Sequence, residues 1–555
     1  LISNSQLYSN TPSDFDFKLQ NETLRLSENK LLSLLKSVDI IFPAIHGAFG
    51  EDGTIQDFLE KNSLKYVGSS ASSCKKIFDK YISSQFISSL GFYTAPSIVL
   101  KIYHSDHKEL INNFFQKNKI TKAIVKPAAG GSSIGVFPAS SSEEALKKAQ
   151  LIFSKRMDTR VVLEPYAEGK EFTLIVIENR FGQPVALIPT EIEKDFDKHQ
   201  IFDYRRKYLP TRQVTYHCPP RFPKNIIEKI QIQGEQIFSA ARMHDFGRFD
   251  GWVLNNGEIW FSDLNPVSGM EQNSFLFQQA SRIGFSHQEI ILHIVNSAAR
   301  RQGLAEIRHN APTTSRKPVH VLFGGSTSER QVSLMSGTNV WLKLLKSKKY
   351  IPHPYLLAPN GEVWKVPYYL LLNHTVEEIV DNCLSAVSNN ELLKEFQRGA
   401  RLKIGLSETE QSAEELPESL MLEDFIKTSP FVFLGLHGGI GENGEIQSML
   451  EKNHIKFNGS GSQTSGLCID KHKTNLAIEE LHLPSVSTTL GISLKAGELF
   501  TLSNRQIRQV WKSSVDSLKT RSTIVKPERD GCSTGIVRLY SSDDFQEYLD
   551  MARGN

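Results

Sequence analysis

A lysine at the end of a short apolar run, followed by glycines and serines, is a pattern that can hold a phosphate chain. Residues 123–135, AIVKPAAGGSSIG, have this form around Lys126. The reading is a strand, a charged side chain off its end, and a loop whose backbone N–H groups can close over anionic oxygens while the lysine neutralises them. The parts come in a different order from the common phosphate loop, and no Gly-x-x-x-x-Gly-Lys-Ser/Thr string occurs. Alone, the stretch reads equally as an ordinary strand and a flexible turn. A second occurrence, IVKPERDGCSTG around Lys526 (524–535), favours the functional reading.

Another group is rich in oxygen. Residues 247–254, GRFDGWVL, and 258–265, EIWFSDLN, read as two strands, and Asp263 and Asn265, two apart, share a face. Asp250, Asp263 and Asn265 can converge as a set suited to Mg2+, a hard ion that prefers carboxylates and substrate phosphates. The plainer alternative is that they form turns beside strand ends. His46 opens a glycine-rich loop after the apolar run 38–45, consistent with a buried parallel strand delivering a loop at its carboxyl end, where ligands of open α/β sheets collect. His437 opens a similar loop.

These pairs belong to a long internal repeat. Residues 46–80 align without a gap to 437–471, with sixteen of thirty-five positions identical. The offset is 391 at His46 and His437 and 400 at Lys126 and Lys526, so the second copy carries nine extra loop residues between those points. Two copies of one large α/β unit are expected, far larger than a solenoid repeat. In copy one, 54–62 reads as a helix, 66–67 starts a strand, Asp79-Lys80 heads a helix, 143–154 is a helix, and 160–164 and 172–177 are strands. Residues 189–215 are charged and aromatic with little periodicity, and a loop of that length usually has a function. Copy two opens with a strand from Val319, a glycine turn and a helix, an arrangement that aims backbone N–H groups at a ligand.

Composition excludes several classes. Among 555 residues, 64 basic and 61 acidic side chains leave a net charge of +3, so nothing global points to nucleic acid or a membrane surface as partner. No apolar run approaches a membrane span, and the opening is too polar for a signal peptide, so a cytoplasmic location is expected. The five cysteines make no C-x-x-C pair, which argues against a zinc site or disulfide framework.

With these residues together, the chain resembles the D-alanine-D-alanine ligases of the ATP-grasp superfamily, twice over and both times incompletely. The resemblance runs from about Val38 to Gly303 and from Val319 onward; it rests on HGxxGEDGxIQ, the DK pair, VKPxxxGSSxG, FDYxxKY, RFD and GMxxxS. It implies α+β ATP-grasp lobes with a Rossmann-like N-terminal lobe. The expected segments are 1–75, a partial N-terminal lobe; 76–168 and 169–304, the central and C-terminal ATP-grasp lobes of copy one; 305–317, a linker; 318–468, the N-terminal lobe of copy two; and 469–555, its partial central lobe. The implied reaction makes an acyl phosphate on one D-alanine, which the amine of a second attacks, using ATP with Mg2+ or Mn2+ in peptidoglycan precursor synthesis. Partners are these small molecules, with pairing between the copies or a homodimer left open.

Carried over by position, the resemblance implies that Lys80 and Lys126 hold ATP phosphates under a loop containing Ser132 and Ser133. Glu164 and Glu171 match the adenine and ribose positions, Lys207 the terminal phosphate, and Lys471 and Lys526 the ATP lysines of copy two. Asp250, Asp263 and Asn265 match metal ligands. Arg248 and the Gly269 backbone match donors to the tetrahedral oxyanion, an electrostatic role. Ser274 matches the group binding the second substrate's carboxylate, Tyr208 the tyrosine of amide-forming ligases, and His46 and His437 the substrate-facing loop. Glu329 matches the acid that anchors the first substrate's ammonium.

Three departures stand out: Asp263 where Glu is usual, Pro266-Val-Ser268 in place of a threonine-containing turn, and Cys532 in place of a loop serine. Copy one has no counterpart of Glu329, and copy two none of Arg248 to Asn265, so the sequence reads as cut from a longer chain. The competing expectations are a tandem ATP-grasp ligase joining another acid and amine, and a nucleotide-binding or structural module that has lost turnover.

Overall fold

Short runs of aliphatic residues build the first sheet: β1 (Ile98–Lys101), β2 (Ala123–Pro127), β3 (Phe137–Ala139) and β4 (Arg160–Pro165). They lie in the order β1-β4-β2-β3, antiparallel throughout. Leu100, Val125, Val161 and Leu163 turn one face inward against Ile111, Phe114 and the helix Ser142–Ser154. Each such side chain, fully buried, contributes about 1.5–3 kcal/mol. The structure, a computed structural model, describes residues 12–103, 105–130, 134–194, 214–308, 315–386, 391–406, 416–529, 531 and 535–553. These form two compact units, one from 12–194, 214–308 and 391–406, the other from 315–386 and 416–553.

A second sheet completes the frame of the first unit. It comprises β5 (Gly169–Glu178), β6 (Pro184–Ala186), β7 (Thr190–Lys194), β8 (Val214–His217), β9 (Phe246–Leu254) and β10 (Ile259–Asn265). The order is β10-β9-β5-β7-β8, with β6 also on β5. Phe172, Phe249 and Phe261 meet edge to face in its core. Gly251 makes that approach possible, because a Cβ there would lie 2.7 Å from the Phe172 ring.

The expected strand over 38–45 does not form. Only Ile41 pairs, in an isolated parallel bridge to Tyr66. The expected strand at 66–67 is reduced to the same bridge, whereas the helix after the His46 loop forms at Thr54–Lys61. The start of the expected linker is tied down, since Asn296 exchanges two hydrogen bonds with the backbone of Ile307.

In the second unit, β11 (Lys317–Gly324), β12 (Tyr350–Leu357), β13 (Val363–Lys365), β14 (Glu418–Leu420), β15 (Phe431–Leu434) and β16 (Lys456–Phe457) form a sheet in the order β14-β13-β12-β11-β15-β16. β11 lies parallel to both β12 and β15, as a first strand feeding a crossover helix should. That helix, Arg330–Leu345, packs closely because Gly337 sits where a Cβ would strike the Phe323 ring. Beyond it, β17 (Thr523–Val525) and β18 (Val537–Leu539) pair as a two-stranded sheet beside the helices Asn504–Ser517 and Ser542–Arg553. The segment 318–468, expected as one lobe, is interrupted: the helix Glu391–Ile404 belongs to the first unit. Among the described residues no helix is long and apolar enough to cross a membrane.

Candidate active site

The two sheets of the first unit flank a cleft of about 610 Å3 lined by Lys80, Lys126, Glu164, Glu171 and Asp263, together with Tyr166, Glu191, Trp252 and Trp260. Lys126 leaves the end of β2, and its Nζ lies 2.6 Å from Glu164 Oε2 on the neighbouring β4, both side chains being buried. The two residues expected at opposite ends of a nucleotide are thus ion-paired. Asp79 caps the helix Lys80–Ser89 through Tyr81 N and Ile82 N and pairs with Arg160. The cap starts that helix at the cleft, where Lys80 Nζ donates to Gly130 O at 2.5 Å and approaches Asp263 Oδ2 at 3.5 Å.

Asp250 and Asp263 are cross-strand partners on β9 and β10, and Asn265 faces Arg248 two residues on. An irregularity between Phe261 and Asp263 shifts the register there, the kind of bulge that re-aims side chains beside sites. Asp250 Oδ1 accepts from Thr173 Oγ1 at 2.7 Å; its Oδ2 accepts from Arg248 Nη2 and Asn265 Nδ2, each at 3.1 Å. The Asn265 amide nitrogen donates to Asp250, and its carbonyl oxygen is of the type that ligates a hard cation. Among the described residues no three His, Cys, Asp or Glu side chains cluster as a metal site. Two carboxylates and one amide oxygen fit a hard divalent cation, which Asp250, Asp263 and Asn265 would hold.

Burial works against the charge on Arg248, yet Asp250, Asp263 and Glu51 raise its pKa above the ordinary guanidinium value. Glu51 comes from the His46 loop. Its buried carboxylate accepts from Gly47 N at 2.6 Å, and His46 Nδ1 lies 3.8 Å away. Burial raises the Glu51 pKa, opposed by the Gly47 N–H and by His46 and Arg248. Ser274, at the N-cap of the helix Phe275–Arg282, has a hydroxyl oxygen that is buried without a partner, as expected of a group awaiting a ligand. Gly269 lies close by: a Cβ there would stand 2.4 Å from the Glu271 carboxylate and 3.4 Å from Ser274 Cβ.

In the second unit, Glu329 is buried, and its carboxylate lies where a Cβ on either Gly438 or Gly531 would strike it. Thr327 Oγ1 donates to His437 O at 2.9 Å, and His437 Nε2 pairs with Ser336 Oγ at 3.0 Å. Lys471 N donates to Glu528 O, just as Lys80 N donates to Ala128 O. Lys526, unlike Lys126, is exposed. Ser132, Ser133, Lys207, Tyr208 and Cys532 lie outside the described residues.

The family model described as "D-ala D-ala ligase N-terminus" matches residues 3–69 and 318–460, and that described as "D-ala D-ala ligase C-terminus" matches 86–296. The chain belongs to the D-alanine-D-alanine ligase family. Relatives named D-alanine--D-alanine ligase include one from Arthrobacter sp. (strain FB24), 26% identical over 288 residues, covering 51% of this chain and 74% of that protein. One from Streptococcus pyogenes serotype M49 is 27% identical, covering 53% and 82%. A solved D-alanine--D-alanine ligase from Bacillus anthracis is 26% identical and covers 50% of this chain and 86% of its own, with a TM-score of 0.43.

Several residues of this ligase-family site were not singled out from sequence. Glu51 had a usable signal, since the repeat returns it as Glu442. Glu191 had none. It reaches the cleft through pairing of β7 with β5 and β8, and although burial raises its pKa, Arg221 and Lys170 hold it below the usual carboxylate range. Thr173 and Gln279 are likewise brought in by tertiary contacts: Gln279 bonds Thr173 O, Ile175 N and Thr190 Oγ1.

Proposed function

We propose that the chain carries two incomplete tandem copies of a D-alanine-D-alanine ligase, and that the first unit binds ATP with Mg2+ or Mn2+ and joins two D-alanines for peptidoglycan precursors in the cytoplasm. The observation that carries this is the meeting of Lys80, Lys126 and Asp263 in one cleft beside the Asp250–Arg248 pair. Lys126 and Lys80 neutralise the phosphates, while Glu164, by pairing with Lys126, fixes where that charge points. Glu171, on β5 of the other sheet, meets the ribose. Asp250, Asp263 and Asn265 would hold a divalent ion, which would supply charge stabilisation at the transferred phosphate.

The first D-alanine's carboxylate attacks the terminal phosphate, forming an acyl phosphate and ADP. The amine of the second D-alanine attacks the acyl carbon, and phosphate leaves as the dipeptide forms. Arg248 and the Gly269 N–H stabilise the oxyanion, whose donors are useful only when already fixed. Ser274 holds the second carboxylate through its partnerless hydroxyl. Ser132, Ser133, Lys207 and Tyr208 complete the covering loops of this reading; His46 faces the substrates. In the second unit, Lys471, Lys526, His437 and Glu329 are the corresponding groups.

The test is ADP release by the full chain with Mg-ATP, with and without D-alanine, and identification of the dipeptide. Release that depends on D-alanine is expected, and release indifferent to it overturns the reading. The 3.5 Å approach of Lys80 to the shortened acid Asp263 favours one alternative, a nucleotide-binding module without turnover. Its mark is tight ATP binding with no ADP formed.

A further inference from the structure

The helix Glu391–Ile404 stands in sequence between β13 and β14 of the second unit, yet it packs within the first. Its buried residues, Phe396, Gln397, Ala400, Arg401 and Ile404, recur every three or four positions and so form one face. Specific polar contacts hold it. Arg401 Nη1 donates to Ile283 O at 2.7 Å, and Asn179 Nδ2 donates to Lys403 O at 3.0 Å. Lys403 Nζ lies 2.8 Å from Glu235 Oε1, and Lys224 Nζ lies 2.5 Å from Glu395 Oε1.

The Arg401 contact has a further reach. Ile283 is the C-cap of the helix Phe275–Arg282, and Ser274 is its N-cap. A helix C-terminus presents carbonyls without intrahelical partners and partial negative charge, which a guanidinium satisfies on both counts. Midway along the same helix, fully buried Gln279 donates to Thr173 O, and the Thr173 hydroxyl donates to Asp250. Arg401 is therefore joined to Ser274 and Asp250 by one helix and a short series of hydrogen bonds.

We infer that Glu391–Ile404 is an intramolecular docking helix that braces the catalytic helix of the first unit, with Arg401 as a positioning residue. The kinetic part rests on the proposed ligase reading; the docking does not. A small misplacement of groups held at a reaction centre costs turnover far out of proportion to the displacement.

The test is Arg401→Met in the full chain, which keeps an unbranched apolar stem and removes the donors. Amide hydrogen exchange over residues 275–285 should rise about tenfold, with β11 and β12 unchanged. The KM for the acceptor D-alanine should rise about fivefold with ATP affinity unaltered, and Arg401→Lys should restore part of the loss. Unchanged exchange at 275–285, or an equal rise in β11 and β12, overturns the brace. Should Arg401→Met fail to fold, the more exposed pair decides: Lys403→Glu should speed exchange of 391–404, and adding Glu235→Lys should reverse it. Absence of that reversal also overturns the inference. If exchange responds while wild type makes no dipeptide, the brace stands and the ligase reading falls.

Discussion

Ile41 pairs with Tyr66 in the first unit and Val432 with Phe457 in the second, and both pairs are separated by the same offset of 391. Around Val432 this pairing is part of a six-stranded sheet, because β11 lies on the other side of β15. Around Ile41 it is a single bridge, for among the described residues no strand takes the place of β11. The two lysine strands reverse the comparison. β2 has β3 and β4 beside it and buries Lys126 against Glu164, whereas among the described residues β17 has only β18, and Lys526 is exposed. Similar sequence thus yields a strand or a loop, and a buried or a solvated lysine, according to which neighbours are present.

The sharpest way to break this comparison is to remove both lysines in turn. Lys126→Ala strands the buried Glu164 carboxylate and should cost about 3–5 kcal/mol in the first unit's unfolding transition. Lys526→Ala should stay within about 0.5 kcal/mol in the second. Adding Glu164→Ala to Lys126→Ala should recover part of the loss, since the two residues couple directly. Equal losses for the two lysines in denaturant titrations would end the argument from neighbours.

Next is Val125→Thr, which places a hydroxyl in a fully buried position and should cost about 1–3 kcal/mol. Val525→Thr, half-buried on β17, should cost less than half as much in the same measurement. Comparable costs would mean that β17 is as well covered as β2.

A pH profile sharpens the contrast from the second unit's side. Burial, with the nearby charges of His353 and Lys365, holds the His320 imidazole at about 4, below its ordinary 6.5. As pH falls through 6.5 the unfolded chain takes up this proton before the folded one, so stability declines from about 6.5 to about 4 and then levels. After discounting for solvent access, the loss is on the order of 1 kcal/mol. Denaturant midpoints across that range should slope in wild type and flatten in His320→Gln. An identical slope in both would remove His320 as the cause. The smallest effect expected is from Ile524→Thr, exposed on β17, whose unfolding midpoint should move by no more than about 0.5 kcal/mol. A larger loss would reveal a covered face.

What sequence made legible follows the same division. The lysine strands, the pair β9 and β10, and the helix after each His-Gly loop were readable because apolar spacing and glycine punctuation are local signals. The strand expected at 38–45 was not realised, because its apolar run specifies a buried strand without supplying a neighbour. Asp250, Asp263 and Asn265 were suggested by spacing; the Thr173 hydroxyl that orients Asp250 was not, since it arrives from β5 across the sheet. Nor did any local pattern assign Glu391–Ile404 to the first unit: its amphipathic spacing fits any apolar face, and its partners Asn179, Glu235 and Ile283 lie more than one hundred residues earlier.

That helix also bears on synthesis. The rest of the first unit's described residues have all been made by residue 308, but the arginine that caps the Ser274 helix comes at position 401. At about 5–20 residues per second, a nascent chain waits roughly 5–20 s between those points. During that interval Phe396, Ala400 and Ile404 are not yet there to cover the surface they bury against, and a chaperone that binds exposed apolar surface has its target there.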